Sequence, residues 1–92
     1  MYIVTAYDIS DDKRRKKIDK LLSSYGFRVN YSVFELDISY QDYKKIIKKL
    51  QGFIQSTDSI RIYRIDKASV EKSIELNPKR SHPFAKEESY VF

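Results

Sequence analysis

The chain contains no cysteine, which excludes disulfides, thiolate metal sites and thiol nucleophiles. Its single histidine, His82, stands in a Ser-His-Pro loop and rules out an intrachain two-histidine metal site. Only two glycines and two prolines occur, against 41% hydrophobic and 34% charged residues, a balance that fits a folded globule and not a disordered chain. No apolar run approaches the ~20 residues needed to span a bilayer. The stretch from Met1 to Asp8 has no basic leader and meets an acid at once, so no secretory signal is expected and a soluble, cytoplasmic protein is. Ser10 and Ser32 have no His or Lys placed to act as a base, which argues against serine nucleophilic catalysis.

What the chain does have is positive charge. Its 92 residues allow one small domain, and 18 Lys and Arg against 13 Asp and Glu give a net charge of +5, doubled in a symmetric dimer. Such a potential favours a polyanionic partner, nucleic acid above all. A solvated lysine-rich surface would give the same total, so the distribution of charge has to decide.

Residues 2–8 are rich in β-formers with apolar side chains of both parities, the pattern of a buried central strand. Ser10 is placed as the N-cap of a helix whose first turn gains from Asp11 and Asp12. Ile18, Leu21, Leu22 and Tyr25 then mark one helical stripe, and Gly26 stands where a left-handed C′ residue ends a helix. From Phe27 to Ile38 the alternation is that of extended chain, either one long bent strand or, as favoured here, two strands reversing near Asn30 to Ser32. Ser39 and Asp42 imitate a capping box. The helix they open carries Tyr43, Ile46, Ile47 and Leu50 on one face and Lys44, Lys45, Lys48 and Lys49 on the other. Gln51 to Asp58 reads as a loop and Ser59 to Ile65 as a strand.

The order is β-α-β-β-α-β, an α+β ferredoxin-like unit with both helices on one face of a four-stranded antiparallel sheet. The other face, to which Tyr7, Ile9, Tyr63 and Ile65 are assigned, is too apolar for water and suggests a homodimer interface. Asp66 to Leu76 has enough apolar residues for a helical turn and a short strand. Residues 1–76 thus form the domain and 77–92 a tail. Its end, Glu88 to Phe92, either adds an extra C-terminal strand to a sheet edge, possibly the partner's, or frays.

Asp8 is the sharpest chemical candidate. A carboxylate at the end of the first strand can bind a hard cation such as Mg(II), and two such residues meeting across a twofold axis would make a workable site for phosphodiester hydrolysis. The plain alternative is that Asp8 caps the helix or pairs with a lysine. Lys13-Arg14-Arg15-Lys16-Lys17 opens close by, and the two arginines suit bidentate phosphate contact better than the lysines. The same run also reads as a solvated helix face, as do the lysines at 44–49. Tyr7, Tyr31, Phe34 and Tyr63 have the chemistry to stack on bases, although core or interface roles fit them better.

Two segments carry a resemblance. Tyr7-Asp8-Ile9-Ser10-Asp11-Asp12-Lys13-Arg14-Arg15 and Gly26-Phe27-Arg28-Val29-Asn30-Tyr31-Ser32-Val33-Phe34-Glu35 are similar to motifs of the small CRISPR-associated endoribonuclease family, the dimeric partner of the spacer integrase in adaptation complexes. Arg61 to Arg64 and Tyr90 to Phe92 fall where that family has its last strands. The resemblance implies a ferredoxin-like homodimer with Asp8 binding Mg(II) at the dimer axis. It implies a metal-dependent endonuclease acting on single-stranded RNA or duplex DNA or, alternatively, a non-catalytic scaffold holding DNA between integrase dimers. Arg15, Lys17 and Arg28 match the family's functional basic positions, with Phe34 as aromatic neighbour and Tyr7, Ser10 and Ser32 in supporting places. Lys17 stands where an arginine can occur, and Asn30 replaces a frequent glutamine. A toxin-type ribonuclease of the virulence-associated protein D kind shares the fold and dimer.

Overall fold

In the computed structural model, which describes residues 1–77, the chain forms β1 (Tyr2–Asp8), α1 (Asp12–Ser23), β2 (Gly26–Asn30), β3 (Val33–Asp37), α2 (Tyr40–Phe53), β4 (Ser59–Ile65) and α3 (Lys67–Lys72). The expected βαββαβ order is present, and the sheet runs β2-β3-β1-β4 with every pair antiparallel. β1 is central, as its apolar residues of both parities require. The extra strand expected at Glu88 to Phe92 lies outside the described residues.

Alternation along β1 sorts the two faces. Ile3 and Tyr7 point to the same side as Phe34 and Leu36 of β3, and close a buried cluster with Ile18 and Leu22 of α1 and Ile46 and Leu50 of α2. Each fully buried aliphatic side chain of this kind stabilises the fold by ~1.5–3 kcal/mol. Both helices therefore cover one face. The other face carries Val4, Ala6 and Asp8 of β1, and the register sets Val33 and Glu35 of β3 and Arg61 and Tyr63 of β4 beside them. Tyr63 is 48% exposed there. Tyr7 and Ile9, assigned to this face from sequence, belong instead to the helix-covered core. With apolar side chains on both sides of β1, composition could not set the phase of the strand.

Local details differ from expectation at four further points. The N-cap of α1 is Asp11, not Ser10: the Asp11 carboxylate accepts from the Arg14 amide at 2.9 Å, while Ser10 is exposed. α1 ends at a right-handed Ser24, and Gly26 is the first residue of β2 with no positive φ. α2 continues through Gln51 to Phe53, which shortens the following loop. Residues 73–77 contain no strand. The Ser39 cap is as expected, its hydroxyl accepting from the Asp42 amide at 3.1 Å.

The extension of α2 places Gly52 inside a helix, where an added Cβ would meet nothing within 4 Å. Gly52→Ala is expected to raise stability by about 0.5 kcal/mol through the unfolded chain's lost freedom. That corresponds to a melting temperature higher by roughly 2–4 °C, readable by thermal denaturation.

Candidate active site

Asp8 is the last residue of β1, paired in register with Ser59, exposed, and on the face the helices leave uncovered. Its carboxylate has no ion-pair or hydrogen-bond partner among the described residues. The plain alternative for Asp8 therefore does not hold there: Asp11 performs the capping and no lysine reaches Asp8. Among the described residues no group of three or more acids or histidines gathers that could hold a metal ion.

The basic run divides in two. Arg14 donates from Nε to Asp58 Oδ2 at 2.9 Å and from Nη2 to Oδ1 at 3.2 Å, and the Asp58 side chain is 0% exposed. The Gln55 amide also donates to Asp58 Oδ2, at 2.8 Å. Arg14 thereby ties the start of α1 to the loop that delivers Ser59, the strand partner of Asp8. Arg15 pairs with Asp12 and donates to the Ile9 carbonyl at 3.1 Å, which fastens the chain directly after Asp8. Both guanidiniums, expected as phosphate grips, are ion-paired within the protein and hold the β1–α1 connection in shape, while each side chain stays part-exposed. Lys13, Lys16, Lys17 and Lys20 are exposed and make no ion pair among the described residues, so they supply the part of the run open to phosphate.

Arg28 lies under α1. Its Nη2 is 2.8 Å from Asp19 Oδ2, and the guanidinium stands 5.2 Å from the centre of the Phe34 ring. The Tyr7 hydroxyl donates to the same Asp19 carboxylate. Burial and then that hydrogen bond push the Tyr7 phenol far above its ordinary pKa, which keeps it a neutral donor. Phe34 is 1% exposed and stacks 6.4 Å from Tyr7, so it is core and not a platform for bases. Ser32 contributes its carbonyl, accepting from the Tyr7 amide at 3.1 Å.

Sequence reasoning missed Asp19 and Asp58. Asp19 follows Ile18 on the margin of the apolar stripe, a signal that it faces the sheet edge. Asp58 gives no such signal, since its partner is 44 residues away.

The hydrogen bonds from Arg14 and Gln55 hold the Asp58 carboxyl below its ordinary range. A carboxyl depressed in the folded state stabilises above its unfolded pKa of about 4 and loses that contribution as pH falls through the folded value. The wild type is therefore expected to melt above Asp58→Asn at neutral pH, with the gap closing under acid; paired melting curves from pH 7 to pH 2 check this.

The fold and site define a small α+β ferredoxin-like domain with an unpartnered strand-end acid beside a lysine-rich helix. More narrowly, the chain belongs to the CRISPR associated protein Cas2 family, which it matches over residues 1–73. It is 40% identical to CRISPR-associated endoribonuclease Cas2 1 of Chloroflexus aurantiacus over 93 aligned positions, covering 99% of each chain. The crystal structure of Streptococcus pyogenes Cas2 superposes with a TM-score of 0.72 at 30% identity, over 84% of this chain and all 100% of that one. A chain of a partial Cas6-RT-Cas1–Cas2 complex gives a TM-score of 0.70 at 28% identity, over 98% of this chain and 96% of that one. No helix among the described residues is long and apolar enough to cross a membrane.

Proposed function

We propose that this chain is an endonuclease of the CRISPR adaptation machinery that acts as a symmetric homodimer in the cytoplasm and cleaves phosphodiester bonds at a site completed by Asp8 from each copy. The observation that carries the reading is the exposed, unpartnered Asp8 carboxylate on the sheet face left open by α1 and α2. Val4, Ala6, Val33 and Ile65 make that face apolar enough to pair with a second copy. Because Asp8 shares it with Val4 and Ala6, pairing sets the two carboxylates at the margin of one interface.

The donor chemistry fits Mg(II), which takes one or two carboxylates together with water and substrate phosphates. Bound there, the cation supplies Lewis-acid stabilisation of charge on the phosphoryl oxygens. The protein's own residues do the rest. Arg15 and Arg14 hold the backbone that presents Asp8, and Lys13, Lys16 and Lys17 draw the phosphate backbone of the substrate. Likeness to the chain of the Cas1–Cas2 assembly supports a spacer integrase as partner.

Purified protein is expected to cut single-stranded RNA or duplex DNA in millimolar Mg(II), to stop in EDTA, and to recover when Mg(II) is restored. Cleavage persisting in EDTA would exclude the metal site.

A further inference from the structure

At the end of the sheet away from Asp8, two stacked rings are flanked by a cation on each side. The Arg64 guanidinium stands 5.7 Å from the centre of the Tyr43 ring, Tyr43 stacks on Tyr40 at 6.2 Å, and Lys44 Nζ lies 4.9 Å from the centre of the Tyr40 ring. Tyr43 packs against the core and anchors the group, while Tyr40 is 55% exposed. Arg64 pairs in register with Ile3, five residues before Asp8, which puts it ~17 Å along β1 from the candidate active site. Lys48 follows Lys44 by one helical turn on α2, with Lys45 and Lys49 beside them. All four lysines are exposed and none makes an ion pair among the described residues.

We propose that Arg64, Tyr43, Tyr40 and Lys44, continued by Lys48 along α2, form a second binding surface, which takes single-stranded polynucleotide without a metal. Lysines spaced along one helix match a phosphate backbone. A ring that is 55% exposed leaves area on which an unpaired base can stack once the flexible Lys44 side chain turns to phosphate, whereas a duplex keeps its bases within its own stack. The Tyr40 ring lies outside the buried cluster and is held from one side by Tyr43. Nothing in this surface depends on Asp8 or on dimer geometry.

The test is fluorescence anisotropy in EDTA with a labelled 20-nucleotide oligouridine and a duplex of equal length, so that neither cleavage nor metal contributes. Lys44→Ala/Lys48→Ala is expected to lower the salt slope of single-strand binding by about 1.4, at ~0.7 per lost phosphate contact, and to weaken binding about 25-fold at 0.1 M salt. Tyr40→Ala is expected to weaken the single strand about tenfold or more while sparing the duplex, and Tyr40→Phe to retain binding. Unchanged affinity and slope in the lysine variant would overturn the surface. Equal weakening of single strand and duplex by Tyr40→Ala would overturn the stacking role. Either failure leaves Mg(II)-dependent cleavage of short substrates intact, and so is distinct from failure of the Asp8 site.

Discussion

Asp8→Asn is expected to reduce phosphodiester cleavage on the order of 10³-fold, because it removes the carboxylate charge proposed to hold the cation and with it several kcal/mol of transition-state stabilisation. The fold should not notice. Asp8 is exposed, has no partner among the described residues and does not cap α1, so the substitution falls among surface changes worth within ~0.5 kcal/mol. Size-exclusion chromatography and thermal melting would then match the wild type while the cleavage rate collapses. Wild-type cleavage by a nuclease-free preparation of the variant would remove Asp8 from the chemistry. A variant that binds DNA and integrase normally but no longer cuts would separate cleavage from the scaffold role.

The same geometry changes which basic residues are informative to mutate. Reversing Arg14 to glutamate would set a new charge against the buried Asp58, so a lost function would report a broken loop. Reversing Lys13 or Lys17, which hold nothing in place among the described residues, probes phosphate contact directly.

Much of this was legible in the chain, and the reasons are local. The stripe at Ile18, Leu21, Leu22 and Tyr25, the alternation through Phe34 to Ile38, and the Ser39 cap are all patterns completed within a few residues. The position of Asp8 was legible for the same reason, because a strand-forming run ends there and a helix opens just beyond. The missed features depend on partners distant in sequence or on near-equivalent neighbours. Ser10, Asp11 and Asp12 are all competent caps, and only the helix's actual start selects Asp11. The pairs Arg14–Asp58 and Arg28–Asp19 exist because folding brings separate segments together, so guanidiniums that read as phosphate grips also brace the fold, a role the sequence does not announce. Tyr7 was assigned to the wrong face because β1 is apolar on both.

Gly26 was the subtlest of these, and it leads to the second large effect. A glycine after a helical stripe invites a left-handed cap, yet Gly26 has no positive φ and opens β2 opposite Leu36. Its requirement is space. An added Cβ would press into the Glu35 carbonyl oxygen, with the Glu35 carbonyl carbon at 3.0 Å and Leu36 Cγ at 2.8 Å. Leu36 is buried in the core and the Glu35 backbone lies in β3, so neither can retreat cheaply. Gly26→Ala is therefore expected to cost about 3 kcal/mol, the upper part of the range for overpacking. In a domain of this size that lowers the melting temperature by roughly 12–24 °C. Leu36→Ala would not rescue it, since the tightest obstruction is backbone. The identical exchange at Gly52 acts in the opposite direction because its Cβ enters open space, and measuring both variants side by side isolates close strand approach from glycine's intrinsic flexibility. Should Gly26→Ala melt within a few degrees of the wild type, β2 and β3 must be able to part without losing register, and the rigid edge that carries Arg28 onto Asp19 would have to be reconsidered.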